Sequence, residues 1–108
     1  MELSDKRTRN LIFNKTKGMC SYCGCKLDFN NFHIDHSMPK SSGGSNSYEN
    51  LFPSCPHCNS MKGCVTLEEY RERIKNLPKT NHSVRNYLNY VKVVETKIVF
   101  YFERIGVK

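Results

Sequence analysis

Two pairs, Cys20-Ser21-Tyr22-Cys23 and Cys55-Pro56-His57-Cys58, constrain this chain more than any other feature. A Cys-x-x-Cys turn brings two thiolates to one ion, and two such turns complete a closed tetrahedral site. One pair alone also serves redox chemistry. A matched set in 108 residues points to structural zinc held by Cys20, Cys23, Cys55 and Cys58, with disulfides as the alternative. Cys25 and His57 lie beside the same turns, and either could replace one of the four. Cys25 and Cys64 otherwise read as small buried thiols. The hydrophobic fraction is 38%, a modest core for one domain, and an ion that ties residue 20 to residue 58 staples it.

The N-terminus, MELSDKRTRN, has no apolar signal region, and no run is long enough to cross a bilayer. The expected location is therefore intracellular, neither secreted nor in a membrane. In a reducing compartment six cysteines are read as metal ligands before disulfides. The net charge of +7 points to a polyanionic partner, usually nucleic acid, although solubility alone also accounts for it.

One domain spanning 1–108 is expected, of α+β class with a small sheet. Ser4 can cap a basic helix reaching about Lys17 and stopped by Gly18. "CSYCGC" makes a tight turn. Phe29 to Asp35 reads as a strand with Phe32 and Ile34 on one side and His33 and Asp35 on the other. Ser37 to Ser47 is loop, and a short second strand falls within Tyr48 to Ser54. Pro56 opens a short helix that Gly63 ends. Thr66 and Glu69 form a capping box for a helix to about Asn76. A further helix is expected from about Ser83 to Val91, and Thr96 to Glu103, "TKIVFYFE", reads as a C-terminal strand.

Inside the loop that the cysteines close lies "FHIDH" (32–36), one acid between two imidazoles. A metal site, a general base and a polar strand without chemistry all fit that pattern taken alone. The whole run "CSYCG…HIDHSMPKSSGGSNSYENLFPSCPHCNSMKG" resembles the HNH endonucleases of the ββα-metal, treble-clef-like fold. It has CxxCG, the Asp-His dyad, the following Pro, the Gly-Gly loop, Asn-Leu, CxxCN and Lys-Gly in family order. The resemblance covers roughly residues 7–63, with flanking helices around that core, and leaves 64–108 as a C-terminal extension of unknown role.

The resemblance implies a metal-dependent DNA endonuclease that hydrolyses phosphodiester bonds. His36 would be the general base, a task that suits imidazole, whose ordinary pKa lies near neutrality. Asp35 would ligate the catalytic cation, and Asn59, where the family often has His, would supply an oxygen ligand. Two oxygen donors favour magnesium or manganese. Adjacent strand residues face opposite ways, so Asp35 and His36 serve one phosphate only at the strand's end or at a bend. Asn50 would hold the loop and orient His36. Lys62, three residues after Asn59 on the short helix, would approach a phosphate oxygen; a solvated helix-end lysine is the plainer alternative.

Double-stranded DNA is the implied partner, with Lys6, Arg7, Arg9, Lys40 and Lys62 as backbone contacts, and Lys75, Lys79, Arg85 and Lys92 as further basic residues. A restriction-type enzyme would read a palindrome as a homodimer, whereas a homing or nicking enzyme could act as a monomer. The competing reading is a non-catalytic zinc module that binds nucleic acid. It shares the cysteines and the charge but does not require Asp35, His36 and Asn59 together.

Overall fold

A computed structural model describes residues 3–76, 92–94 and 97–107. The fold is α+β, as expected. Helix α1 (Lys6–Lys15) is capped by Asp5 rather than Ser4, the Asp5 carboxylate accepting from the Arg7 N–H at 2.9 Å. A carboxylate at the N-terminus satisfies an orphan donor and complements the helix dipole, which a hydroxyl does less well. The helix closes at Thr16, and the reversal runs through Lys17 and Gly18, both at positive φ. Ile12 is the helix's main core anchor; Leu11 is exposed.

The turn from Cys20 to Cys25 is flanked by a bridge between Met19 and Lys26 and closed by Cys20 N–H donating to the Cys25 carbonyl at 2.7 Å. Strand β1 (His33–His36) pairs antiparallel with β2 (Leu51–Ser54), in the register His33 to Ser54 through His36 to Leu51. β1 is shorter than the sequence suggests. Residues 29–32 instead belong to a turn in which Asp28 accepts from the Asn30 and Asn31 N–H groups. Tyr48–Asn50 is a single 3-10 turn leading into β2.

Helix α2 (Pro56–Lys62) starts on its proline, and α3 (Leu67–Lys75) carries the full Thr66–Glu69 capping box. α1 packs on β2, and α2 packs against β1. Strands β3 (Lys92–Val94) and β4 (Lys97–Val99) form a second antiparallel pair. The expected terminal strand stops there: α4 (Tyr101–Arg104) follows at once. Glu103 turns back to accept the Phe100 N–H at 3.1 Å, while Tyr101 and Phe102 N–H groups donate to the Tyr22 and Ser21 carbonyls. These bonds bend the backbone out of strand pairing and bury Phe100 and Phe102 in the core with Tyr22, Phe52, Tyr70 and Ile74. The expected helix at 83–91 lies outside the described residues. No helix among the described residues is long and apolar enough to cross a membrane.

Lys15 locks this core to the turn before β2. Its ammonium donates to the Tyr48 and Leu51 carbonyls at 2.7 and 2.9 Å and lies 3.9 Å from the Phe52 ring centroid. Burial pulls its pKa from 10.5 down to about 8, against the opposing pull of Glu49. The unfolded chain therefore holds this proton more tightly than the folded one between those values, so the Lys15 contribution to stability should grow as pH rises from 8 toward 10.5. Thermal melts across that window, compared with Lys15→Met, test the sign: the variant should lack the rise attributable to this group.

Candidate active site and metal centre

Three of the four predicted cysteines converge, and Cys25 joins them. The sulfurs of Cys20, Cys23, Cys25 and Cys55 all lie within 4.8 Å of one another, and Cys23 and Cys55 are 3.9 Å apart. Ligands of a tetrahedral zinc–thiolate site, with Zn–S near 2.3 Å, sit about 3.8 Å apart, so this donor set fits a metal. Cys58, fully buried, lies outside that group of four, and its backbone N–H donates to Cys55 Sγ at 3.4 Å. In the group of four Cys25 thus stands where the pairs put Cys58. His57 is exposed at the start of α2.

The local fold prepares these sulfurs for a cation. The Cys55 N–H donates to Cys20 Sγ and the Cys58 N–H to Cys55 Sγ, each at 3.4 Å. Hydrogen bonds to sulfur favour the thiolate. A hydrogen bond with Cys23 leads in lowering the Cys20 thiol to about 6, and one with Cys20 leads in lowering Cys55. Cys23 and Cys58 are raised, chiefly by their contacts with Cys20, and burial pushes Cys25 up to about 11.

A cleft of about 380 Å³ opens nearby, and its lining includes Asp35, His36, Lys40, Asn59 and Cys64. Asp35, His36 and Asn59, three of the five residues to which the resemblance gives roles in the chemistry, therefore line one cleft, whereas Asn50 and Lys62 do not. β1 ends at His36, and the chain leaves the sheet through Ser37, whose N–H donates to the Asn50 carbonyl at 2.9 Å. This ending lets neighbouring residues of opposite strand parity reach the same cleft.

Asp35 is 6% exposed. The Tyr22 hydroxyl donates to Oδ2, and Lys62 Nζ lies 3.1 Å from Oδ2 and 3.4 Å from Oδ1. Burial raises the Asp35 pKa above the ordinary carboxylate value, and the Tyr22 and Lys62 contacts oppose that rise. The Tyr22 hydroxyl engages Oδ2, and Lys62 donates to Oδ1 while also facing Oδ2. A carboxylate has about four lone-pair sites, so Oδ1 keeps capacity for a cation. With the Asn59 amide on the same cleft, the donors are hard oxygens of the kind magnesium and manganese take.

Lys62 departs from its expected place. It is 0% exposed, and its ammonium also donates to the His36 and Val65 carbonyls at 2.9 and 2.8 Å. Satisfying a buried ammonium this fully draws the side chain inward, so it binds β1 to the end of α2 instead of reaching for a phosphate. Arg9 is likewise turned inward: Nη2 donates to the Phe29 and Phe32 carbonyls, and its guanidinium stacks 4.1 Å from the Phe32 centroid. Lys6, Arg7 and Lys40 are exposed, as is His33. Lys6 and His33 border a second cleft between α1 and the 28–33 turn. Among the other basic residues, Lys75 pairs with Glu72 at 3.4 Å, and Lys79 and Arg85 lie outside the described residues.

Asn50 holds the loop. Its Oδ1 accepts from Met38 N–H at 2.8 Å, and its Nδ2 donates to the Met38 and Ser45 carbonyls at 3.0 and 2.8 Å. The contact to His36, however, comes from Asn46, whose Oδ1 lies 2.7 Å from His36 Nε2. With the Asn46 oxygen as acceptor the contact calls for the proton on Nε2, the tautomer that leaves Nδ1 as the accepting nitrogen of a neutral ring. Gly44 makes this loop possible: a Cβ there would sit 1.7 Å from the Met38 carbonyl oxygen. Sequence reasoning missed Asn46, because an Asn in a Ser/Gly-rich loop looks like any turn residue.

The HNH endonuclease family model matches residues 20–64, the segment that holds the cysteine cluster and the cleft. This segment is an HNH module. The chain aligns over 45 residues, at 44% identity, with the CRISPR-associated endonuclease Cas9 of Corynebacterium diphtheriae, covering 41% of this chain and 4% of that protein. It also aligns over 69 residues, at 32% identity, with the Septu protein PtuB of Bacillus thuringiensis, covering 60% of this chain and 26% of that one. The chain thus spans only a small part of the length of these relatives. The Type II-C Cas9 enzyme from Actinomyces naeslundii superposes at a TM-score of 0.48 and 20% identity, covering 76% of this chain and 12% of that chain.

Proposed function

We propose that this protein is a zinc-stapled, metal-dependent endonuclease of double-stranded DNA. The observation that carries this reading is the meeting of Asp35, His36 and Asn59 on one cleft within an HNH module. Asp35 and Asn59 would hold a magnesium or manganese ion, and Cys20, Cys23 and Cys55 with Cys58 or Cys25 would hold zinc. A divalent cation at the cleft neutralises charge developing on the scissile phosphate and the leaving oxygen. His36 takes a proton from the attacking water at Nδ1, because Asn46 engages Nε2. Asn50 acts indirectly, fixing the loop from which Asn46 reaches the ring. Lys6, Arg7 and Lys40, which extend into solvent, supply phosphate contacts that position the duplex without reading its sequence.

One observation favours a non-catalytic module that binds nucleic acid: the Asp35 charge is already balanced by the Lys62 ammonium. Supercoiled plasmid incubated with the zinc-loaded protein and magnesium or manganese separates the two readings. The endonuclease should nick or linearise it, and Asp35→Ala should lose that activity while keeping its fold. Retained DNA binding with no product under either metal would favour the module.

A further inference from the structure

The hydroxyl on Asp35 comes from Tyr22, and the walls that hold Tyr22 come from outside the HNH module. Tyr22 is fully buried. Its ring is met edge-on by Tyr70 at 5.4 Å, Phe100 at 5.1 Å and Phe102 at 6.2 Å, with interplanar angles of 85°, 82° and 89°. Tyr70 and Phe100 stack on each other at 5.2 Å, so these walls support one another. The backbone of the same segment is fastened to the Tyr22 turn: Tyr101 N–H donates to the Tyr22 carbonyl at 3.0 Å and Phe102 N–H to the Ser21 carbonyl at 2.7 Å. Arg71 on α3 grips Glu103 with two hydrogen bonds of 2.7 and 2.6 Å and lies over the Phe100 ring, which holds α4 against α3.

A tyrosine enclosed on these sides cannot swing its ring, so its hydroxyl has a fixed address. That address is Oδ2 of Asp35, the oxygen that also faces Lys62. The Tyr22 hydroxyl holds Oδ2 while the Lys62 ammonium lies against both oxygens, so the carboxylate plane is set and Oδ1, which bears only the longer 3.4 Å contact, keeps a lone pair for a ligand. Packing alone would be served as well by phenylalanine at position 22, whose ring fills the same space. The hydroxyl adds nothing to the aromatic contacts and does one thing, which is to hold the acid.

We infer that residues 100–107, together with Tyr70, form a positioning element for the active-site carboxylate: they seat Tyr22 so that its hydroxyl fixes Asp35. Tyr22 is a positioning residue, acting through Asp35, and the C-terminal extension thereby gains a role in the reaction. This rests on the reading of Asp35 as a cation ligand.

The test uses the full chain, zinc-loaded, with Mn2+ as probe. Free Mn2+ measured by electron paramagnetic resonance gives the affinity without requiring turnover. Tyr22→Phe should weaken Mn2+ binding by about 10- to 100-fold, the range typical of groups that orient a metal ligand. Cleavage should show the same rise in the Mn2+ concentration needed, with near-parental kcat at saturating metal and unchanged DNA affinity. Phe102→Leu, which keeps an apolar wall but loosens it, should shift Mn2+ binding in the same direction by less. The double variant should be no weaker than Tyr22→Phe alone, because both changes act through one hydroxyl. Unchanged Mn2+ affinity in Tyr22→Phe, or fold-changes that multiply in the double variant, would overturn the inference. Asp35→Ala separates the two levels: if it binds Mn2+ like the parent, the ligand reading itself has failed. If it loses binding while Tyr22→Phe does not, the positioning role alone has failed.

Discussion

Replacing His36 with alanine is expected to slow DNA cleavage by about 10²- to 10⁴-fold while leaving DNA binding and folding close to the parent. The factor is that of removing a placed proton acceptor, about 3–5 kcal/mol of barrier at 1.36 kcal/mol per decade. The structure explains why binding should survive. His36 ends β1, half-exposed on the cleft, and its polar side-chain contact is to Asn46 in the loop, so truncating it opens no core cavity. Its backbone carbonyl, which accepts from Lys62, remains in the alanine variant. Single-turnover cleavage of labelled duplex, paired with a binding titration, measures both quantities. Parental turnover in the variant would mean that another group takes the proton.

Removing zinc is expected to have the larger effect on stability. Structural zinc sites contribute apparent free energies of about 10–16 kcal/mol, comparable to the whole stability of about 5–15 kcal/mol that a domain possesses. A strong chelator should therefore collapse the cooperative melt, and Cys20→Ala should do nearly the same. Cys20 is the severe case for a geometric reason. Cys20, Cys23 and Cys55 belong to either possible ligand set, with Cys25 or Cys58 completing the four. Cys58→Ala should be milder than Cys20→Ala, since Cys25 stands within reach of the vacancy. Circular dichroism melts with zinc stoichiometry by native mass spectrometry check this order. An unaltered melt in Cys20→Ala, or after chelation, would show that the thiol cluster does not staple the fold.

The sequence determined by itself whatever rests on short spacing and ligand type. Two Cys-x-x-Cys turns must each present paired sulfurs, Thr66 with Glu69 must close a capping box, and Pro56 and Gly63 must bound a short helix. The order of Asp35, His36 and Asn50 between the two cysteine pairs, with Asn59 directly after the second, was enough to mark an HNH module. These features are legible because each depends on the chain within a few residues, or on one ion joining two such pieces.

Tertiary structure alone decided where the long side chains end. Lys62 and Arg9 are cations on helices, and spacing places them on a face without saying whether their tips meet water or carbonyls. Burial beside Asp35 and beside the 28–33 turn drew both inward. Asn46 reached His36 because Asn50 and Gly44 fold the loop back, and Phe100 and Phe102 left strand pairing because Tyr22 offered them a buried surface. Such outcomes depend on partners dozens of residues away, and the free energy of satisfying a buried charge or ring overrides the local preference that a sequence displays.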